Sequence, residues 1–296
     1  MSTIQATAEA ASAIGRTAAL TGEELIVFAA ARGLTIPPGT AKLAERLGLS
    51  GETQPIASLA ARILVCRGIG IDGDAPETSS SAQTRDGALE AMLLAVCEPA
   101  SRVVVIAGAG LQARVAAFSC VADFTVAQVL LPRDVHVLRA CAPGEVRASF
   151  AEATQVAMVP DTAASSACVE IERSKVEQIR SSNREELKAV LASVADWQSL
   201  DSGDRSSLFS VLGGEAFMVT TLFHRVVATP AGRGTIVTVN WAVTNEGVVW
   251  RLDTQVPLPG SGLEGGGGLI AVRSGRADLE ARLGSASDAV GVPTAE

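Results

Sequence analysis

Few residues in this chain of 296 are placed to do chemistry. Gly108, Gly110 and Ala113 satisfy the pattern G-x-G-x-x-A directly after the apolar run Val103-Val104-Val105-Ile106, and Asp134 follows about 20 residues later. Glycines so placed let a pyrophosphate approach a helix N-terminus. The alternative function this suggests is a nucleotide-dependent, NAD(P)-type enzyme with 108–113 as its phosphate-binding turn. A hairpin turn accounts for the same residues. The segment after Leu111 carries Val115, Phe118, Cys120 and Val121 and meets the next strand-like run with almost no loop. No repeating βαβ alternation follows. His136 and His224 sit inside strand-like runs without a nucleophile elbow, so no Ser-His-Asp constellation forms. The carboxylate pairs Asp72/Asp74 and Asp201/Asp204 read as a solvated loop and a helix cap. The glycine tract at 260–268 lacks the Lys-Ser/Thr of a P-loop and reads as a flexible loop. Cys66, Cys97, Cys120, Cys141 and Cys168 contain no C-x-x-C, and two His supply a Cys/His metal site poorly. They are expected to be buried, reduced thiols. The expectation is no catalysis, no cofactor and no metal.

The elements that would position any site are clearest at 215–253. Phe217, Val219, Phe223 and Val227 alternate, a turn follows at 229–234, and Val237, Val239, Trp241 and Val243 alternate again. A third run places Val248, Trp250 and Leu252 on one face. A four-residue loop, Thr244-Asn245-Glu246-Gly247, sets Val243 opposite Val248 and Trp241 opposite Trp250, both rings on one buried face.

Hydrophobic residues make up 48%, enough for a sizeable core, and aromatics only 3%, so that core is built from Ala, Val and Leu. A net charge of −8 argues against nucleic-acid binding. No stretch of about 18 apolar residues exists, so no membrane insertion is expected. The first 16 residues lack the basic and apolar regions of a secretory signal, which makes the expected location cytoplasmic.

In chain order, a short strand at 16–20 leads into the capping box Thr21-Gly22-Glu23-Glu24 and a helix stopped by Gly33. Helical patterns follow at 40–47, 53–67 and 82–96. Four strand-like runs (102–107, 114–120, 124–131 and 135–139) have connections too short for parallel crossovers. A helix at 144–153 closes this half. The second half repeats the order: a strand at 169–172, a capping box at Ser174-Lys175-Val176-Glu177, helices at 183–197 and 204–212, four strands, and a helix at 274–283. Residues 1–15 read as loosely ordered and 285–296 as a frayed tail. The implied fold is α+β and quasi-two-fold, with halves at 1–155 and 156–296 and a central, mostly antiparallel sheet flanked by two helical bundles.

Three stretches together resemble the EspG family of type VII (ESX) secretion-associated proteins. They are Ala18-Ala19-Leu20-Thr21-Gly22-Glu23-Glu24-Leu25, the stop Arg67-Gly68-Ile69-Gly70 before a polar loop, and the run from Thr238 to Trp250. The resemblance spans nearly the whole of 16–283. It implies a non-enzymatic cytosolic chaperone that binds the exposed apolar tip of a PE–PPE-like or other ESX substrate. It also implies a partner surface on the second half. The residues it points to are Thr221, Arg225, Thr238 and Asn240 on outward strand positions and Leu208 and Leu212 on the adjoining helix.

Overall fold

The computed structural model describes residues 12–48, 54–69, 86–109, 112–122, 124–161, 166–225, 234–254 and 268–292. The Asp72/Asp74 pair, the N-terminal 11 residues and most of the glycine tract lie outside them. Ten strands form one sheet in the order β1-β5-β4-β3-β2-β7-β8-β9-β10-β6. They are β1 (Thr17–Thr21), β2 (Ser101–Ala109), β3 (Gln112–Cys120), β4 (Thr125–Leu131), β5 (Val135–Cys141), β6 (Cys168–Ile171), β7 (Phe217–Arg225), β8 (Thr235–Val243), β9 (Val249–Thr254) and β10 (Leu269–Arg273). Every neighbouring pair is antiparallel, as the short connections from β2 to β5 and from β8 to β9 require, and so are the pairs β1–β5, β2–β7 and β10–β6 between strands distant in sequence. Read inward from either edge, the strand order is the same: β1-β5-β4-β3-β2 on one side and β6-β10-β9-β8-β7 on the other. β2 and β7 pair along eight residues, Ser101 to Gly108, and join the two sets.

Nine helices are present among the described residues: α1 (Gly22–Arg32), α2 (Ala41–Gly48), α3 (Gln54–Cys66), α4 (Gly87–Cys97), α5 (Pro143–Thr154), α6 (Arg173–Ser181), α7 (Arg184–Ala192), α8 (Ser202–Leu212) and α9 (Arg276–Val290). The Thr21 hydroxyl accepts from the Glu24 N–H, Glu24 accepts from the Thr21 N–H, and Gly33 ends α1 in the left-handed region. The second capping box is not at Ser174. α6 starts from Glu172 without a side-chain cap, and the reciprocal pair is Asn183 and Glu186 at the start of α7. The expected tail is also helical as far as Val290, and Val290 and Val292 are buried.

Three cores divide the two faces of the sheet. On the back face, α5 and α9 cover Val103, Val105, Phe118, Val219, Phe223, Val239 and Trp241. Phe150 meets Phe118 and Phe223 edge-on, with centroids 5.8 and 6.0 Å away. On the front face, α1, α3 and α4 bury Leu20, Val126, Leu138 and Ala140 at one end. At the other end α6, α7 and α8 bury Val169, Ala242, Trp250, Leu252 and Ala271.

This division corrects the register expected for the β8–β9 hairpin. Trp241 pairs with Arg251 and Ala242 with Trp250, one residue away from the expected alignment. The loop is three residues, Asn245 to Gly247. It is closed by Thr244 N–H to Val248 O at 2.9 Å and ends on Gly247 at φ 78°. The slip sends the two rings to opposite faces. Both faces are buried there, so both rings are fully enclosed, one in the back core and one in the front.

Thr221 is in phase with Val219 and Phe223 and faces inward, not outward. It is wholly buried, and its hydroxyl has no partner among the described residues. Thr221→Val is expected to stabilise the protein by about 1 kcal/mol, since an orphaned hydroxyl costs about that much to bury. Chemical denaturation with an unchanged slope would show this as a shifted midpoint.

Candidate functional site

Among the described residues, the front face has a middle that neither helical group covers. α4 lies over β3 and β4 on one side. On the other side the Trp250 Nε1–H, on β9, donates to the α8 residue Ser207 at 2.9 Å. Between them run β3, β2, β7 and β8. Register places Val115, Ile106, Thr220 and Asn240 in one row and Ala117, Val104, Leu222 and Thr238 in the next. Ile236 lies beyond, opposite His224. Ile106 is 43% exposed and Ile236 52%, and Val104, Val115 and Leu222 are half-buried. Exposed β-branched side chains at this density form an apolar strip walled by two sets of helices.

Besides Thr220 and Thr238 within the two rows, the polar groups of the strip lie toward its edges. Asn240 donates to the Leu252 carbonyl at 3.3 Å. At the Val96 end, Arg102 bonds the carbonyl of that residue and lies opposite His224. Burial, then the Arg102 charge, holds the His224 imidazole below its ordinary value, so it is neutral at pH 7. Burial pushes the Cys97 thiol up to about 12 despite Arg102, which makes it a poor nucleophile. All five cysteines are free. Cys97, Cys120 and Cys141 are buried as expected, whereas Cys66 and Cys168 are exposed.

The six residues expected from sequence fall in different places. Thr238 is exposed on the strip, and Asn240 is half-buried beside it. Leu212 is half-buried against the front core under α8. Leu208 is wholly enclosed in that core. Thr221 and Arg225 belong to the back face, Thr221 buried and Arg225 exposed at the end of β7. The apolar floor itself was missed. Its sequence signal is the unbroken run Val103-Val104-Val105-Ile106, which gives β2 two apolar faces where one core would need only one.

Of the glycine pattern at 108–113, Gly110 lies outside the described residues, while Gly108 and Ala113 stand at the end of the β2–β3 ladder. Gly108 pairs with Ala113, and a Cβ on Gly108 would lie 2.0 Å from the Gln112 carbonyl oxygen. The glycine is thus needed for close strand approach. Residues Gln112–Cys120 are a strand, so no helix N-terminus stands behind the turn to receive a phosphate. Asp201 caps α8 through the Asp204 N–H at 2.7 Å, and Asp204 pairs with Arg273 at 3.3 Å. Among the described residues no group of His, Cys, Asp and Glu could hold a metal ion, and no helix is long and apolar enough to cross a membrane.

No family model and no curated protein matches the chain. Among solved structures, it is similar to the Mycobacterium tuberculosis type VII secretion system chaperone EspG5, solved in complex with a PE25–PPE41 dimer. The TM-score is 0.52 at 9% identity, over 93% of this chain and 97% of that one. A likeness at that identity is one of fold: both chains carry the same α+β architecture around a large antiparallel sheet.

Proposed function

We propose that this protein is a non-enzymatic, cytoplasmic chaperone or adaptor of type VII (ESX) secretion and a divergent member of the EspG family. On this reading residues 1–155 and 156–296 are duplicated halves of one unit. The uncovered strip takes the exposed apolar tip of a PE–PPE-like substrate, keeps it soluble and carries it toward export. The supporting observation is the strip itself, an apolar floor left open between two helical walls on an EspG5-like fold. Burying such a floor stabilises a complex by about 25 cal/mol per Å² of apolar surface, less the cost of association. The contact is assigned to Val104, Ile106, Leu222 and Ile236, with Thr238 and Asn240 at its margin.

Co-expression followed by size-exclusion chromatography tests this, with PE25–PPE41 as the first probe and a PE–PPE pair from the protein's own genome as the second. Co-elution with either is the expected result, and a failure of both to co-elute overturns the reading. Ile106→Asp and Ile236→Asp are each expected to weaken the complex at least tenfold, about 1.4 kcal/mol. Both side chains are exposed in the free protein, so melting temperatures should hold within about 2 °C. Equal loss of binding and of folding would show that the strip is structural.

A further inference from the structure

Away from the strip, a buried histidine ties the sheet to the loop before α2. His136 on β5 is wholly buried, and Gln128 on the neighbouring β4 is 3% exposed. The Gln128 Nε2 lies 2.7 Å from His136 Nδ1 and donates to the Pro38 carbonyl at 3.2 Å. Gly39, at φ +82°, lies over the ring, and a Cβ there would be 3.5 Å from His136 Cε1. The Thr40 hydroxyl folds the loop back by donating to the Pro37 carbonyl at 2.7 Å, and the Thr40 carbonyl starts α2 by accepting from the Ala44 N–H.

These bonds fix the tautomer. Pro38 offers only a carbonyl, so the amide nitrogen of Gln128 must face it. The same NH₂ group faces His136 Nδ1, which must then be an acceptor, and the ring hydrogen resides on Nε2. We propose that His136, Gln128 and Pro38 form a proton-operated latch, in which the neutral imidazole tethers the 37–40 loop and α2 to the sheet and protonation releases them.

A proton on Nδ1 sets an N–H donor against the Gln128 NH₂ donor. Turning the amide over satisfies the ring but brings Oε1 against the Pro38 oxygen, acceptor to acceptor. The first arrangement forces two donors together beside the bond to Pro38, and the second replaces that bond with a repulsion, so either way the tether from sheet to loop is weakened. The charged ring also gains nothing at Nε2, which has no partner among the described residues.

The charged groups acting on the ring are Asp134, in the turn before β5, and Glu23 on α1. Both favour the proton, but burial outweighs them and holds the imidazole below its ordinary 6.5. Glu24, also on α1, is engaged by the Thr21 N–H and by Arg67 at 2.9 Å. Arg133 in the turn and Lys42 and Glu45 on α2 are exposed. β1 offers Leu20 opposite the ring, and β4 offers Leu130. Because the folded pKa is the lower one, the unfolded chain binds the extra proton first. The contribution of the latch is complete at neutral pH and is lost as pH falls from about 6.5 toward the folded value.

Hydrogen exchange by mass spectrometry on the full chain tests the latch, comparing residues 36–48 with the α8 segment at pH 7.5 and 5.5 after correction for intrinsic rates. Protection of 36–48 should fall at least tenfold at the lower pH while α8 changes little. His136→Asn, which does not titrate, should abolish that dependence. Gln128→Leu should leave 36–48 weakly protected at both values. Imidazole ¹⁵N shifts should report a neutral Nε2–H ring at pH 7.5. Unchanged protection in the natural protein, or an Nδ1–H ring, overturns the proposal even if neither variant folds.

Discussion

Trp241→Ala and Trp250→Ala should each cost about 3–5 kcal/mol, and their effects should be independent. Each indole is wholly buried. Trp241 fills the back core under α5 and α9, beside Val219, Val239 and Leu283. Trp250 fills the front core under α8, and its Nε1–H donates to Ser207, which in turn donates to the Asp204 carbonyl. Truncating Trp250 therefore removes a hydrogen bond as well as packing, and its cost should be the larger by about 1 kcal/mol. Two Ala changes together would approach the whole stability of a domain, so independence is better read from Trp→Phe singles and their double in urea. With the rings on opposite faces and no side chain shared, the double should equal the sum within about 0.5 kcal/mol. Rings stacked across the hairpin would couple, and a coupling above about 1 kcal/mol would contradict the observed register.

That hairpin shows where sequence reading stops. Alternation selects a register only if one face is wet. At β9 the residues Val249, Trp250, Arg251 and Leu252 are all buried, so either alignment hides apolar side chains. The choice was made by one residue of loop, through the left-handed Gly247. Local chemistry was legible where it is self-contained. The Thr21–Glu24 box, the Gly33 stop and the antiparallel connections need only residues a few places apart. Ser174–Glu177 has the same letters as a capping box, yet α6 begins earlier, because Glu172 follows directly on β6 and sets the start of the helix. Thr221 and Arg225 needed only a count of two from Phe223 to be placed on the back face. The strip was hidden for a different reason. Ile106 and Ile236 are exposed through the spacing of helices that pack elsewhere on the sheet, and no pattern within β2 or β8 encodes that spacing.

Arg251→Met should destabilise the protein by about 2–3 kcal/mol, and the loss should shrink as the pH is lowered. Arg251 is 8% exposed, yet it carries a charge on the back face of β9. Its Nε donates to Asp253 at 2.9 Å and its Nη1 to Asp278, in the first turn of α9. Ser274 donates to the same Asp278 oxygen at 2.6 Å. The group pins α9 to the sheet at the point where the back core ends. Removing the guanidinium leaves two carboxylates facing each other with part of their water lost. The full cost of breaking a buried pair is about 3–5 kcal/mol, but the Asp side chains keep 39% and 34% of their exposure, which lowers it. Burial alone would raise the Asp278 carboxyl. The Ser274 hydroxyl and Arg251 outweigh it and hold the group below its ordinary range. Its stabilising contribution is therefore present above the unfolded pKa, near 4, and is lost as pH falls through the folded one. Urea midpoints of the natural protein and Arg251→Met should thus differ most at pH 7 and converge below about pH 4. Arg251→Met combined with Asp253→Asn and Asp278→Asn removes the unpaired charges and should recover part of the loss at pH 7. A constant difference at every pH would mean that Arg251 acts through the packing of its methylenes rather than its charge.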